Sequence, residues 1–135
     1  MVETNIRYEG SLRCTAEHAP SHTTLTTDAP VDNQGKGESF SPTDLVATAL
    51  GSCILTTMGI VAARMQVDMT GSHATVIKEM ATSAPRRIAK LAVTLTMHGT
   101  FDETQKEKLT RAAHVCPVHQ SLHLDIDVPI DIHWP

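Results

Sequence analysis

Two cysteines are the residues of this chain best suited to chemistry. Cys53 sits inside the longest apolar run, residues 45–63, which no charge interrupts. Cys116 ends a second predicted helix and is followed at once by Pro117. Helical cysteines so far apart in sequence meet only through folding, and that arrangement suggests thiol chemistry. Each also has a plain packing reading, because free cysteine behaves as a small buried hydrophobe. Cys116 carries a further local signal. As N-cap of a turn opened by Pro117 it would face free backbone N–H groups, which with the helix dipole favour thiolate. Cys14, on a predicted strand, has no second signal and reads as packing.

Other chemistries find less support. Cys116 and His119 have a metal-ligand spacing, and Cys53, His114 or His123 would complete a shell. Zinc sites usually pair such ligands twice; here one pair occurs, and His18, His22, His73, His98 and His133 are scattered. No bound metal or cofactor is expected. Gly35-Lys36-Gly37 lacks both the strand–loop–helix context and the following Lys-Ser or Lys-Thr of a phosphate loop. Asp125, Asp127 and Asp131 alternate with apolar residues and line a solvated face, not an acid–base pair.

The elements that must position the cysteines follow from periodicity. Ile6 and Tyr8 alternate with polar residues, Glu9-Gly10 marks a turn, and Leu12, Cys14 and Ala16 continue at period two. Residues 22–27 are Thr-rich and suit a third strand, and residues 28–39 read as a loop. Ser41-Pro42-Thr43-Asp44 is a helix start, with Ser41 as N-cap, Pro42 at N1 and Asp44 closing a capping box; the helix is predicted to run to about Gln66. Residues 69–80 form a weaker strand. Leu91, Val93, Leu95 and Met97 alternate with polar or small residues and define another. Thr100 and Glu103 suggest a second capping box, after which Leu109, Ala112, Ala113 and Cys116 share one helical face. Leu124, Ile126, Val128, Ile130, Ile132 and Trp134 predict a long last strand, with Pro129 at an edge or bulge. The order β-β-β-α-β-β-α-β argues for α+β, in a single domain covering residues 1–135.

Composition narrows the partners. The net charge is −4 and there is no basic cluster, which speaks against nucleic acid. Three cysteines are an odd number, unlike a secreted disulfide framework. The polar start Met1-Val2-Glu3-Thr4-Asn5 lacks an apolar signal segment, so a cytoplasmic location is expected. Residues 45–63 are just long enough to cross a bilayer. They contain four Thr or Ser residues and two Gly, and amphipathic strands follow them. A helix apolar all round is instead expected in a soluble core or a dimer, without membrane contact. Aromatics make up only 3% of the chain, and so small a core gains from dimerisation.

The segment from Ser41-Pro42-Thr43-Asp44 through Leu50-Gly51-Ser52-Cys53 resembles the signature helix of the OsmC/Ohr family, the osmotically induced and organic-hydroperoxide-resistance proteins. His114-Val115-Cys116-Pro117-Val118-His119 is similar to that family's second cysteine motif. The resemblance covers nearly the whole chain. It implies an α+β intertwined homodimer, with antiparallel sheets around a long buried central cysteine helix. It also implies roles: Cys53 as peroxidatic nucleophile, Cys116 as resolving cysteine, organic hydroperoxides as substrates and an external dithiol as reductant, with no bound cofactor. Family peroxidases carry glutamate directly after Asn-Pro or Ser-Pro. Here Thr43 holds that position and the acid follows at Asp44, a pattern like the less characterised OsmC-like branch. Arg13, just after the Glu9-Gly10 turn, is the candidate activating cation; Asp44 is the other supporting candidate, turned about 100° from the family's acid position and with capping as its plainer reading. The alternative is a non-enzymatic dimer of the same fold that holds a small ligand or electrophile.

Overall fold

The computed structural model describes all 135 residues. Their contacts divide the chain into two compact units, Met1–Val46 and Ala47–Pro135. The first is a three-stranded antiparallel sheet of β1 (Thr4–Gly10), β2 (Arg13–His18) and β3 (Thr23–Asp28), in that order. The strands follow from alternation and a Thr-rich third segment, as the sequence implies. The first turn lies further along than Glu9-Gly10. The register slips between Tyr8 and Gly10, Gly10 pairs with Arg13, and Ser11 and Leu12 occupy the turn with φ of 53° and 62°. That is the pattern of a two-residue type I′ hairpin, whose twist matches the flanking strands. Leu12 therefore leaves the strand face. That face consists of the cross-strand rows Ile6–Ala16–Leu25 and Tyr8–Cys14–Thr27.

The segment after β3 is a loop, as expected, with one 3₁₀ turn at Val31–Asn33. It folds back tightly: the Gly35 N–H donates to Pro30 and the Gly37 N–H to Ala29. A Cβ on Gly35 would fall 1.7 Å from the Ala29 carbonyl oxygen, so no larger residue fits there without moving the loop.

Helix α1 (Pro42–Arg64) starts as its first residues dictate. The Asp44 N–H donates to Ser41 Oγ at 3.1 Å, and the Ser41 N–H donates to Asp44 Oδ2 at 2.8 Å, the reciprocal bonds of a capping box. The helix has the length and apolarity of a membrane span, but it also carries a stripe of buried residues: Ala47, Leu50, Gly51, Ile54, Met58 and Ala62. At Gly51 it approaches Val76 closely, since an added Cβ would lie 3.1 Å from Val76 Cγ2. The opposite side shows Ala49, Ser52, Thr56 and Ile60 exposed, so one copy of the chain buries only part of this helix.

The second unit contains β4 (His73–Met80), β5 (Ile88–Thr96) and β6 (Ile130–His133), in the order β4-β5-β6. The β4–β5 pair is antiparallel and the β5–β6 pair parallel. Antiparallel pairing dominates the molecule, as expected, with this one exception. The exception follows from connectivity: β6 is reached through α2 (Glu103–His114) and α3 (Pro117–Ser121), the long crossover a parallel pair requires. Leu50, Ile54, Met58, Leu91, Val93, Leu95, Leu109, Ala112 and Ala113 supply the core of this unit.

Two boundaries differ from the sequence reading. The second capping box uses Asp102 and Gln105: the Gln105 N–H donates to Asp102 Oδ1 and the Asp102 N–H to Gln105 Oε1. It lies two residues beyond Thr100 and Glu103, because the short carboxylate of Asp102 caps at least as well as threonine. The last strand is only four residues long. Upstream of Pro129 pairing is reduced to an isolated bridge between Lys90 and Asp127, since proline has no N–H for the ladder.

Candidate functional site

Cys53 lies within α1, next to the buried stripe rather than in it, and is half-buried. Its carbonyl accepts a hydrogen bond from Thr57 Oγ1 at 2.8 Å, as the Ala49 carbonyl does from Ser52 Oγ: hydroxyls of this helix are satisfied by its own backbone.

Cys116 is positioned by the end of one helix and the start of the next. Helix α2 closes at His114, with Val115 as its C-cap. Cys116 is then extended (φ −65°, ψ 144°) and is the N-cap of α3, with Pro117 following in the first turn. This is the arrangement the Cys116-Pro117 pair implies: the proline ring cannot continue α2 but is preorganised to open a helix. Cys116 Sγ accepts the His119 N–H at 3.3 Å. Leu109, Ala112 and Ala113 are buried together as their spacing predicts, and Cys116, although outside α2, is fully buried too.

Folding brings the two thiols together. Cys53 lies close enough to Cys116 to act on its thiol, and neither is in a disulfide. Burial pushes the Cys116 thiol above its ordinary range. The His119 N–H pulls it back, the hydrogen bond and charge of Cys53 push it further up, and the Val118 N–H opposes them weakly. The sequence reading that the capping N–H groups favour thiolate at Cys116 is corrected here. Those groups act in that direction, but desolvation is larger. The Cys116 thiol therefore holds its proton more firmly than an ordinary cysteine does.

In the first unit the Arg13 guanidinium pairs with Glu38 and, at 3.5 Å, with Asp28. Asp28 is fully buried; its Oδ2 also accepts the Glu38 N–H at 2.9 Å, while its Oδ1 has no partner. Asp44 is used in the capping box at the start of α1. Asp44 and Cys53 are nine positions apart in α1, about 13 Å along the axis and about half a turn around it. Cys14 is half-buried on β2 beside Tyr8 and Thr27. No three His, Cys, Asp or Glu side chains converge in a geometry suited to a metal ion.

Two features were not singled out from sequence. Asp28 looks like an ordinary loop residue, and its burial depends on β2 and on the returning loop. From sequence, His119 reads only as a candidate metal ligand. Its third place after an N-cap cysteine, where the N3 backbone N–H meets the capping atom, was the signal available.

The OsmC-like protein family model matches residues 35–131. A crystal structure from Psychrobacter arcticus, of a protein provisionally named an osmotic stress induced and detoxification response protein, is 44% identical. The match covers 98% of this chain and 96% of that one, with a TM-score of 0.93. The organic hydroperoxide resistance protein OsmC of Legionella pneumophila is 18% identical over 98% of this chain and 96% of its own, with a TM-score of 0.77. An organic hydroperoxide resistance protein of Elizabethkingia anophelis is 12% identical over 100% and 96%, with a TM-score of 0.79. No curated protein sequence matches the chain.

Proposed function

Because the chain belongs to the OsmC-like protein family, we propose that it is a thiol-dependent peroxidase that reduces organic hydroperoxides through Cys53 and Cys116. The observation that carries this reading is the juxtaposition of the two free thiols. Cys53 thiolate attacks the O–O bond of the hydroperoxide. The distal oxygen stays on sulfur as sulfenic acid, and the alkoxide leaves and is protonated to the alcohol. Cys116 then attacks the Cys53 sulfur, forming a disulfide and releasing water. An external dithiol reduces that disulfide by exchange and returns both thiols. The half-buried position of Cys53 on an apolar helix favours alkyl hydroperoxides over hydrogen peroxide, because the alkyl group gains from leaving water.

Arg13 and Asp44 are assigned supporting roles. Arg13 is held by Asp28 and Glu38, and Asp44 holds the start of the cysteine helix. The active form is a homodimer. Ile6 and Tyr8 are each 64% exposed and Leu25 45%, on one face of the first sheet, and Ile60 of α1 is 51% exposed. A second copy would cover these surfaces and complete the burial of α1. Three unpaired thiols suit a reducing compartment such as the cytoplasm.

A second reading is a binding dimer that captures a small electrophile without turnover. It is favoured by Thr43 standing where family peroxidases have glutamate, and by the use of Asp44 in a cap. The deciding experiment treats the reduced protein with cumene hydroperoxide and follows intact mass. A peroxidase loses two hydrogens, mapped to a Cys53–Cys116 bond, and turns over repeatedly with dithiol. A binder gains the mass of its ligand once, or does not change.

A further inference from the structure

His119 is a half-buried residue next to Cys116 for which the chemistry above has no use. Its backbone N–H donates to Cys116 Sγ at 3.3 Å. Its Nδ1 is buried and meets no hydrogen-bonding group. The imidazole hangs from the Cα that carries the donating N–H, and two of the three staggered χ1 wells place a ring gauche to its own backbone nitrogen. In this conformation Nδ1 is not bonded to Sγ, so the two are to be joined by a ring rotation or by one bridging water. His114 and His123, its nearest histidines in sequence, are exposed.

Cys116 needs such a group. It must lose a proton to attack Cys53, yet it is fully buried, and burial and Cys53 both hold that proton on the sulfur. We propose that His119, through Nδ1, is the general base that takes the Cys116 proton as this sulfur closes on Cys53. The inference rests on Cys53 and Cys116 acting as a redox pair. When the oxidant is an organic hydroperoxide, Cys53 is first converted to sulfenic acid. The Cys116 S–H bond then breaks, its electron pair forms the S–S bond, and the Cys53 S–O bond breaks. The proton taken by His119 passes to the departing hydroxide, giving water and restoring neutral imidazole. In sum, one sulfenic acid and one thiol give one disulfide and one water.

The test reads this closure without peroxide. Reduced full-length protein on a Cys14→Ala background is mixed with the aryl disulfide DTNB. Cys53 forms a mixed disulfide and releases one thionitrobenzoate; Cys116 then displaces the second. In His119→Ala and His119→Asn the first phase is expected to be unchanged, and the second to slow on the order of 10²-fold, the usual scale of general base catalysis. Asn keeps the backbone N–H and a polar atom near Nδ1 but no basicity. Added imidazole is expected to restore the second phase of His119→Ala and not of His119→Asn. A wild-type second phase in His119→Asn overturns the proposal. So does slowing in His119→Ala that imidazole leaves in place, which marks a packing role. Two phases in a wild-type protein that reduces no hydroperoxide would refute the peroxidase reading and leave the base assignment standing. A wild type without a second phase would refute both.

Discussion

Cys116 has two separable duties, as a helix cap and as a reactive sulfur, and a pair of substitutions divides them. In Cys116→Ala the His119 N–H loses its acceptor, now at 3.3 Å, in a fully buried position. Loss of an N-cap costs about 1 kcal/mol. Removing one buried heavy atom costs about another 0.8 kcal/mol, so a total near 2 kcal/mol is expected. In Cys116→Ser the hydroxyl oxygen accepts the same N–H, and serine is among the strongest N-cap residues. Its O–H is in place to donate to Cys53, as the thiol is, which avoids the ~1–3 kcal/mol penalty of an unsatisfied buried donor. Its stability is expected to stay within about 0.5 kcal/mol of the parent, the range of a benign substitution. Urea unfolding of the reduced proteins at one fixed protein concentration measures both, with midpoints compared at constant slope. Both variants are expected to consume a single equivalent of hydroperoxide and stop at Cys53 sulfenic acid, trapped with dimedone. If serine destabilises as much as alanine, the capping argument is wrong. If either variant turns over like the parent, Cys116 is not the resolving thiol.

Cys53→Ser is expected to fold with an unchanged unfolding midpoint, because residue 53 lies beside the buried stripe, and to lose peroxide turnover; consumption at the parent rate would sink the peroxidase reading. Because the Cys116 thiol is raised in the folded protein, its contribution to stability is complete below the unfolded thiol range, about 8.5, and declines as pH rises toward the folded value. Urea midpoints of the parent should therefore fall more steeply above about pH 8.5 than those of Cys116→Ser, and parallel curves would contradict the burial argument. Ile54→Ala removes a fully buried side chain of α1 and is expected to cost about 2–5 kcal/mol; a loss under about 1 kcal/mol would show that this site collapses freely.

Local features were the most legible from sequence. The Ser41–Asp44 capping box, the Pro117 start of α3 with Cys116 as its N-cap, and the buried face of Leu109, Ala112 and Ala113 all depend on residues within one or two helical turns. Short-range sterics and hydrogen bonding decide such features, and the rest of the fold does not override them. Where two caps competed, at Thr100 and Asp102, both satisfied the same local rule, and the choice came from where α2 had to begin. The first hairpin turn moved to Ser11-Leu12 because a register slip beside Gly10 is a property of two strands at once.

Composition and spacing by themselves determined that this chain is α+β, with one cysteine in the charge-free run of residues 45–63 and a second at a helix start. Only the tertiary structure decided that the two thiols meet, that desolvation outweighs the capping N–H groups at Cys116, that Asp28 is buried, and that β6 runs parallel to β5. These four share one cause. Each depends on which distant segments pack together, and solvent exclusion and pairing partners are set by that packing rather than by neighbours along the chain.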